Sequence, residues 1–179
     1  DNEDYTLEEI IVTAQKTEKS LQDVPIAVSA LSADDLALRQ AVRFTDLQLN
    51  VPNLSYSETN FGGSSVSIRG IGRLATGISF DQSVTTHINE SPWGENTNVA
   101  TMFDMDRVEV LRGPQGTLFG RGTTAGLVNL VTKRPSVDSG IEGYAGFTTG
   151  EYDLQVFEGA VNIPLDDNFA VRAAYTQTE

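Results

Sequence analysis

Apolar positions along the chain change period twice, and the changes divide it. Through residues 1–20 they are scarce. Leu7 and the run Ile10-Ile11-Val12 stand in a polar stretch that buries too little apolar surface to fold alone. The pattern predicts a flexible arm carrying a short β-prone motif. Order is expected from Val24. Pro25–Leu31 reads as a short strand, and Ser32-Ala33-Asp34-Asp35 reads as a helix start, with Ser32 as cap and two acids in the first turn. Leu36, Leu38 and Val42 offer that helix an apolar face. A second short helix is expected over Arg43–Leu49, with Phe44, Leu47 and Leu49 apolar. Pro52 ends it by biasing Val51 away from the helical region.

After Pro52 the period becomes two, the signature of half-buried strands. Leu54 and Tyr56 alternate with Ser55 and Ser57, and Val66 and Ile68 with Ser65, Ser67 and Arg69. Val84–Asn89, Arg107–Arg112 and Leu127–Thr132 are further strand candidates, separated by Gly- and Asn-rich loops at 58–65, 70–83 and 89–100. Short helices mixed with strands make this block α+β.

Residues 136–179 alternate differently. Phe169, Val171, Ala173 and Tyr175 alternate with Ala170, Arg172, Ala174 and Thr176. Ile141, Ala145 and Phe147 alternate with Glu142, Tyr144 and Thr148. Leu154–Ile163 is a less regular third run, and Pro164–Asn168 reads as a tight turn. Strands of this length and alternation fit an outer-membrane barrel. A solvated antiparallel meander carries nearly the same pattern.

Composition narrows the chemistry. The chain of 179 residues has 12 basic and 25 acidic residues, a net charge of −13. The first 60 residues hold 11 of the acids and 4 of the bases. Such a balance argues against nucleic acid as a partner, because phosphate binding needs a basic surface. With no cysteine and one histidine, disulfides, thiolate metal sites and His-rich clusters are excluded. No run approaches the length of a membrane helix. Asp1-Asn2-Glu3-Asp4 is the opposite of a signal peptide's basic start and is compatible with a processed chain.

Two glycine motifs invite a nucleotide reading and fail it. Gly70-Ile71-Gly72-Arg73-Leu74-Ala75 matches a dinucleotide fingerprint, but the β-branched, Gly-broken stretch after it starts no helix to face a pyrophosphate. Gly113–Gly122 lacks the Gly-Lys-Ser/Thr ending of a phosphate loop and reads as tight turns against a close neighbour. Arg69, Arg73, Arg107, Arg112 and Arg121 gather in this region with Glu109 among them; Arg69 and Arg112 lie beside glycines at strand ends, where bidentate pairing with carboxylates is favoured. His87 has no nucleophile or metal-ligand partner at a telling spacing and reads as a polar strand residue. Trp93, in a Pro/Gly/Asn loop, is a ligand-contact candidate.

Several segments together resemble one family. Glu8-Glu9-Ile10-Ile11-Val12-Thr13-Ala14 looks like a TonB box, the mark of the TonB-dependent outer-membrane receptors. Asp23–Ser29, Asp46-Leu47, Val51-Pro52-Asn53-Leu54, Ile68–Gly72, Arg107–Arg121 and Asn129–Pro135 resemble the plug domain, so the match runs in order over residues 7–135. The resemblance implies an arm over 1–20, an α+β plug domain with a small mixed β-sheet and short helices over 21–135, and the first antiparallel strands of a transmembrane β-barrel over 136–179. It implies that Glu9, Ile10, Ile11, Val12, Thr13 and Ala14 bind the TonB C-terminal domain, working with ExbB and ExbD, by adding a strand to its sheet edge. It implies a plug–barrel ionic lock of Arg69, Glu109 and Arg112 with wall carboxylates. The outward loops would then bring Phe61, Arg73, Phe80 and Trp93 to a small-molecule substrate, such as a ferric siderophore. Energised uptake across a Gram-negative outer membrane follows, with the barrel in lipid, the N-terminus in the periplasm, and no catalysis and no cofactor. The alternative is a soluble periplasmic binding or signalling module reusing a plug. Two departures stand out: His87-Ile88-Asn89-Glu90-Ser91-Pro92 replaces the common Tyr-Val-Asp-Gly-Val, and Gly122-Thr123 replaces Asn-Thr.

Overall fold

The computed structural model describes residues 11–13, 19–20, 22, 24–58, 64–72, 83–93, 102–150 and 154–179. They form two compact units: Asp1–Met102 with Arg107–Val131, and Phe103–Asp106 with Thr132–Glu179. In chain order the elements are β1 (Ile11–Val12), β2 (Lys19–Ser20), β3 (Ala27–Ser32), α1 (Ala33–Leu38), a 3₁₀ turn (Phe44–Asp46), α2 (Leu47–Asn50), β4 (Leu54–Glu58), β5 (Ser64–Ile68), β6 (Ile71–Gly72), β7 (Val84–Ile88), β8 (Ser91–Pro92), β9 (Met105–Arg112), α3 (Gly116–Phe119), β10 (Gly126–Thr132), β11 (Glu142–Thr149), β12 (Gln155–Asp166) and β13 (Phe169–Thr178).

A mixed five-stranded sheet ordered β3-β9-β10-β7-β8 forms the centre of the first unit. β3 runs antiparallel to β9, and β10 runs parallel to β7. β10 is buried from Gly126 to Val131, as the nearly continuous apolar run of a central strand demands. Val12, Val24, Leu111, Phe119 and Leu127 pack as one core cluster. The strands β4-β5-β6 make a separate antiparallel sheet, with Leu54 paired to Ile68.

The expected capping box is present. Asp35 N–H donates to Ser32 Oγ at 3.2 Å, and Ser32 N–H to Asp35 Oδ2 at 3.2 Å. The helix ends sooner than its apolar face predicts. Ala41 N–H reaches back to Leu36 O at 2.9 Å and Gln40 N–H to Ala37 O at 3.1 Å, a Schellman closure with Gln40 at φ 51. Leu36 is therefore buried, while Leu38 and Val42 are exposed. Phe44 and Leu47 are buried as expected of the second helical segment, and Leu49 is exposed. The glycine run 113–122 holds a one-turn helix, α3, that its glycines conceal. Gly113, Gly120 and Gly122 take positive φ, as the expected turns require.

The second unit is an antiparallel sheet, β11-β12-β13. Its register sorts the side chains. Phe147 opposite Phe157, Tyr175 opposite Gly159, Val161 opposite Ala173 and Ile163 opposite Val171 share one face, which is exposed and apolar. Glu142, Asn162 and Arg172 lie in line on the other, with Glu158 opposite Thr176. The predicted turn at Pro164–Asn168 shortens to Asp167-Asn168, since Pro164 continues β12 at a bulge, a place where a missing N–H is tolerated. Asn162 is fully buried. Its Nδ2 donates to Ser136 O at 2.9 Å, Gly140 O at 3.1 Å and Ser139 Oγ at 3.2 Å, and its Oδ1 accepts from Ser136 N–H at 3.0 Å. Arg172 meets Asp104 through two bonds, Nε at 2.8 Å and Nη2 at 2.5 Å, with both side chains nearly buried.

Gly126 takes φ +152, and a Cβ there would collide with Leu111 O on the neighbouring strand and press Ile68 Cδ1 at 2.8 Å. Gly126→Ala is expected to part β9 from β10. The check is hydrogen exchange of both strands in the intact protein, where faster exchange is expected and wild-type protection would show room for a methyl group.

Candidate functional site

β9 alternates in sequence, yet Val108 through Leu111 are all buried. Among them Glu109 is 0% exposed. A carboxylate loses its hydration there and is tolerated only when charge and hydrogen bonds replace the water. Its partners all come from this chain. Arg107 Nε donates to Oε1 at 2.8 Å. Thr13 N–H donates to Oε1 at 2.8 Å, and the Thr13 hydroxyl lies 3.2 and 3.0 Å from the two carboxylate oxygens. Asn129, from β10, brings Nδ2 to within 3.3 Å of Oε2.

This carboxylate fixes the segment that the sequence places in a flexible arm. Thr13 is 3% exposed, and Val12 is 0% exposed within the core cluster, while Ile11 faces outward. β1 pairs antiparallel with β2, Ile11 with Ser20 and Val12 with Lys19. A β-prone run with one apolar residue turned inward and a polar one on a buried charge is thus docked. Periodicity cannot reveal this, because the partner lies 96 residues away in sequence.

The departure at 87–92 is a two-residue hairpin. Ile88 pairs with Ser91, and the loop residues Asn89 and Glu90 take φ 48 and 66, as a type I′ turn requires. Glycine is favoured at the second loop position; Glu90 holds it at a cost of about 1–2 kcal/mol. Contacts among the described residues hold the turn in place. Asn89 N–H donates to Leu130 O at 2.9 Å, and Glu90 N–H to Asn129 Oδ1 at 3.0 Å. Trp93 N–H donates to Thr86 O at 2.9 Å. His87 Nδ1 lies 3.1 Å from Glu90 O, which can only accept, so Nδ1 carries the proton. His87 is buried with its ring edge-on to Phe119 at 5.4 Å, a core position.

Of the expected binding-strand residues, Thr13 meets Glu109, Val12 packs in the core cluster and Ile11 faces outward, while Glu9, Ile10 and Ala14 lie outside the described residues. Among the described residues no hydrogen bond or ion pair joins Glu109 to Arg69 or Arg112. Arg69 sits exposed in the turn between β5 and β6 at φ 55, its N–H on Asn53 O at 2.8 Å. Arg112 Nη2 donates to Ser29 Oγ at 3.0 Å, and its Nε is buried without a hydrogen-bond partner. Trp93 is half exposed. Phe61, Arg73 and Phe80 lie outside the described residues. Asn129 was not expected. Its signal is a lone amide within the apolar run Leu127–Val131.

The sequence model described as the TonB-dependent receptor plug domain matches residues 20–127, more than half of the chain. The pesticin receptor of Yersinia pestis is 29% identical over 137 residues, 75% of this chain and 20% of its own length. The vitamin B12 transporter of Vibrio vulnificus is 30% identical over 71% of this chain and 21% of its own length. The crystal structure of the ferric yersiniabactin uptake receptor from Yersinia pestis superposes with TM-score 0.72 at 26% identity, covering 86% of this chain and 24% of that one. The chain thus spans about a fifth of the length of the curated relatives it matches.

Removing one partner of a buried charge pair leaves the other uncompensated, at about 3–5 kcal/mol. Glu109→Ala is expected to destabilise the first unit by that order, and Glu109→Gln by less, since one oxygen remains for Thr13 and Arg107. The midpoint of urea unfolding, followed at Trp93, reads both; equal midpoints for Ala and wild type would show the carboxylate is dispensable.

Proposed function

The chain belongs to the TonB-dependent receptor plug-domain family, and from that premise we propose that it is the plug and energy-coupling portion of an outer-membrane active transporter. The observation that carries this reading is one chain holding both a plug-family sheet and a three-stranded sheet that is apolar on one face and polar on the other. That alternation is what a barrel wall between lipid and lumen needs. A soluble module would leave Phe147, Phe157, Ile163, Val171 and Tyr175 bare to water, which disfavours the alternative. The relatives are receptors and transporters, so the reading is uptake and not catalysis.

Residues 9–14 engage the C-terminal domain of TonB in the periplasm by strand addition, with ExbB and ExbD supplying energy from the proton-motive force. The extended pairing of Ile11-Val12 supports this, because the segment already has strand geometry. A few backbone bonds, each about 0.5–1.5 kcal/mol net, make a reversible grip. Force then enters the plug at Thr13 and reaches β9 through Glu109. Arg69 and Arg112 lock the plug to wall carboxylates; the buried, unpartnered Nε of Arg112 supports that role. Glu109 fits an inner support of β9 better than a direct lock, its oxygens being occupied from within. The substrate is a scarce nutrient such as a ferric siderophore. Trp93, Phe61, Arg73 and Phe80 are the residues we propose contact it.

A proline at Ile11 or Val12 removes a ladder donor. Energised uptake is expected to stop while substrate binding to the receptor stays intact; undiminished uptake would sink the assignment of the strand. Arg69→Ala with Arg112→Ala is expected to raise hydrogen exchange across the plug of the full receptor, and equal protection would mark both as ordinary surface charges.

A further inference from the structure

We infer that the Asn129 side-chain amide couples the Ile88–Ser91 hairpin to the docked Ile11–Thr13 strand, so that freeing either end loosens the other. Asn129 is 1% exposed in the middle of β10. Its Oδ1 accepts from Glu90 N–H at 3.0 Å. Its Nδ2 lies 3.3 Å from Glu109 Oε2 and 3.4 Å from Thr13 Oγ1. The orientation is forced. Turned over, the amide would set an oxygen against a carboxylate and a nitrogen against an N–H, and both ends would fail. One rigid planar group therefore serves both sites, and it cannot follow one without leaving the other.

Each end depends on the amide in its own way. At the hairpin, Glu90 occupies a left-handed position that glycine would fill without strain, and the Asn129 bond is one of the contacts that keep it there. Strain held by its surroundings relaxes when the surroundings let go. At the strand, Thr13 hangs on the Glu109 carboxylate, whose Oε2 also takes the Asn129 donor. Withdrawing that donor returns to Glu109 part of the cost of burial, while adding a charge there repels it. Coupling between two sites is reciprocal, so each end must report on the other. The coupling rests on these contacts and does not depend on the transporter reading above.

The test uses the full receptor in outer-membrane vesicles. Val12→Cys places a thiol that is buried when the strand is docked, and the receptor without that substitution gives the labelling background. Asn129→Asp keeps the acceptor for Glu90 N–H but turns the donor toward Glu109 into a like charge. Maleimide labelling at position 12 is expected to rise at least about fivefold, the low end of typical couplings. In the reverse direction Thr13→Val, of nearly equal shape, is expected to speed hydrogen exchange of the 88–93 peptide by a similar factor. If Asn129→Asp raises labelling but Thr13→Val leaves that exchange unchanged, Asn129 is a local support and the inference falls. It falls equally if neither value moves. Should Asn129→Asp fail to reach the membrane, the Thr13→Val arm decides alone. Binding of the isolated TonB C-terminal domain to the same vesicles is measured separately. Its absence would overturn the transporter reading without touching the coupling.

Discussion

A single buried carboxylate sets the terms for the first unit. Glu109 sits in a strand flanked by Val108, Val110 and Leu111, where an unsatisfied charge would be ruinous. Its environment has to supply one cation and several N–H or O–H donors, and it draws them from three places along the chain: Arg107 beside it, Asn129 on the neighbouring strand and Thr13 near the start. That demand ties the N-terminal strand to the sheet more firmly than Ile11 and Val12 could alone. It also explains why β10 carries an amide in an otherwise apolar run.

The same demand limits what local pattern can reveal. The strands around 54–57, 66–68, 84–88, 107–112 and 127–132 follow from alternation or apolar runs, while Glu58, Ser64 and Ser65, expected in a loop, extend β4 and β5; Ser32 announces the first helix. Helix length does not follow from them, because Gln40 closes α1 by backbone bonds that any residue able to adopt positive φ can make. Nor does α3, whose four residues stand between glycines. The docking of Thr13 is invisible for a different reason. Its partners are far along the chain, and the segment around it is as polar as a free arm. Arg112 and Arg69 stand out by their setting beside glycines; the packing of β9 separates them from Glu109, which faces inward.

The second unit solves a different problem with similar means. Asn162 and Arg172 share the polar face of the sheet, and each meets a segment of irregular backbone: Asn162 the turns at 136–140, Arg172 the carboxylate of Asp104. Lys133 N–H adds a bond to Asp104 O at 3.0 Å. Polar side chains on one face thus organise loops, and the opposite face is left to apolar contact.

The bonds that build these units differ greatly in span. Asn162 closes on residues 22 to 26 positions away, within a meander whose strands follow one another. Thr13 closes on residues 96 and 116 positions away. Loop closure delays long-range contacts during folding. The meander can form from its own short loops, whereas the N-terminal strand must wait until β9 and β10 stand side by side. Held at its end by one side chain from each, it is bound to the central sheet without being one of its strands.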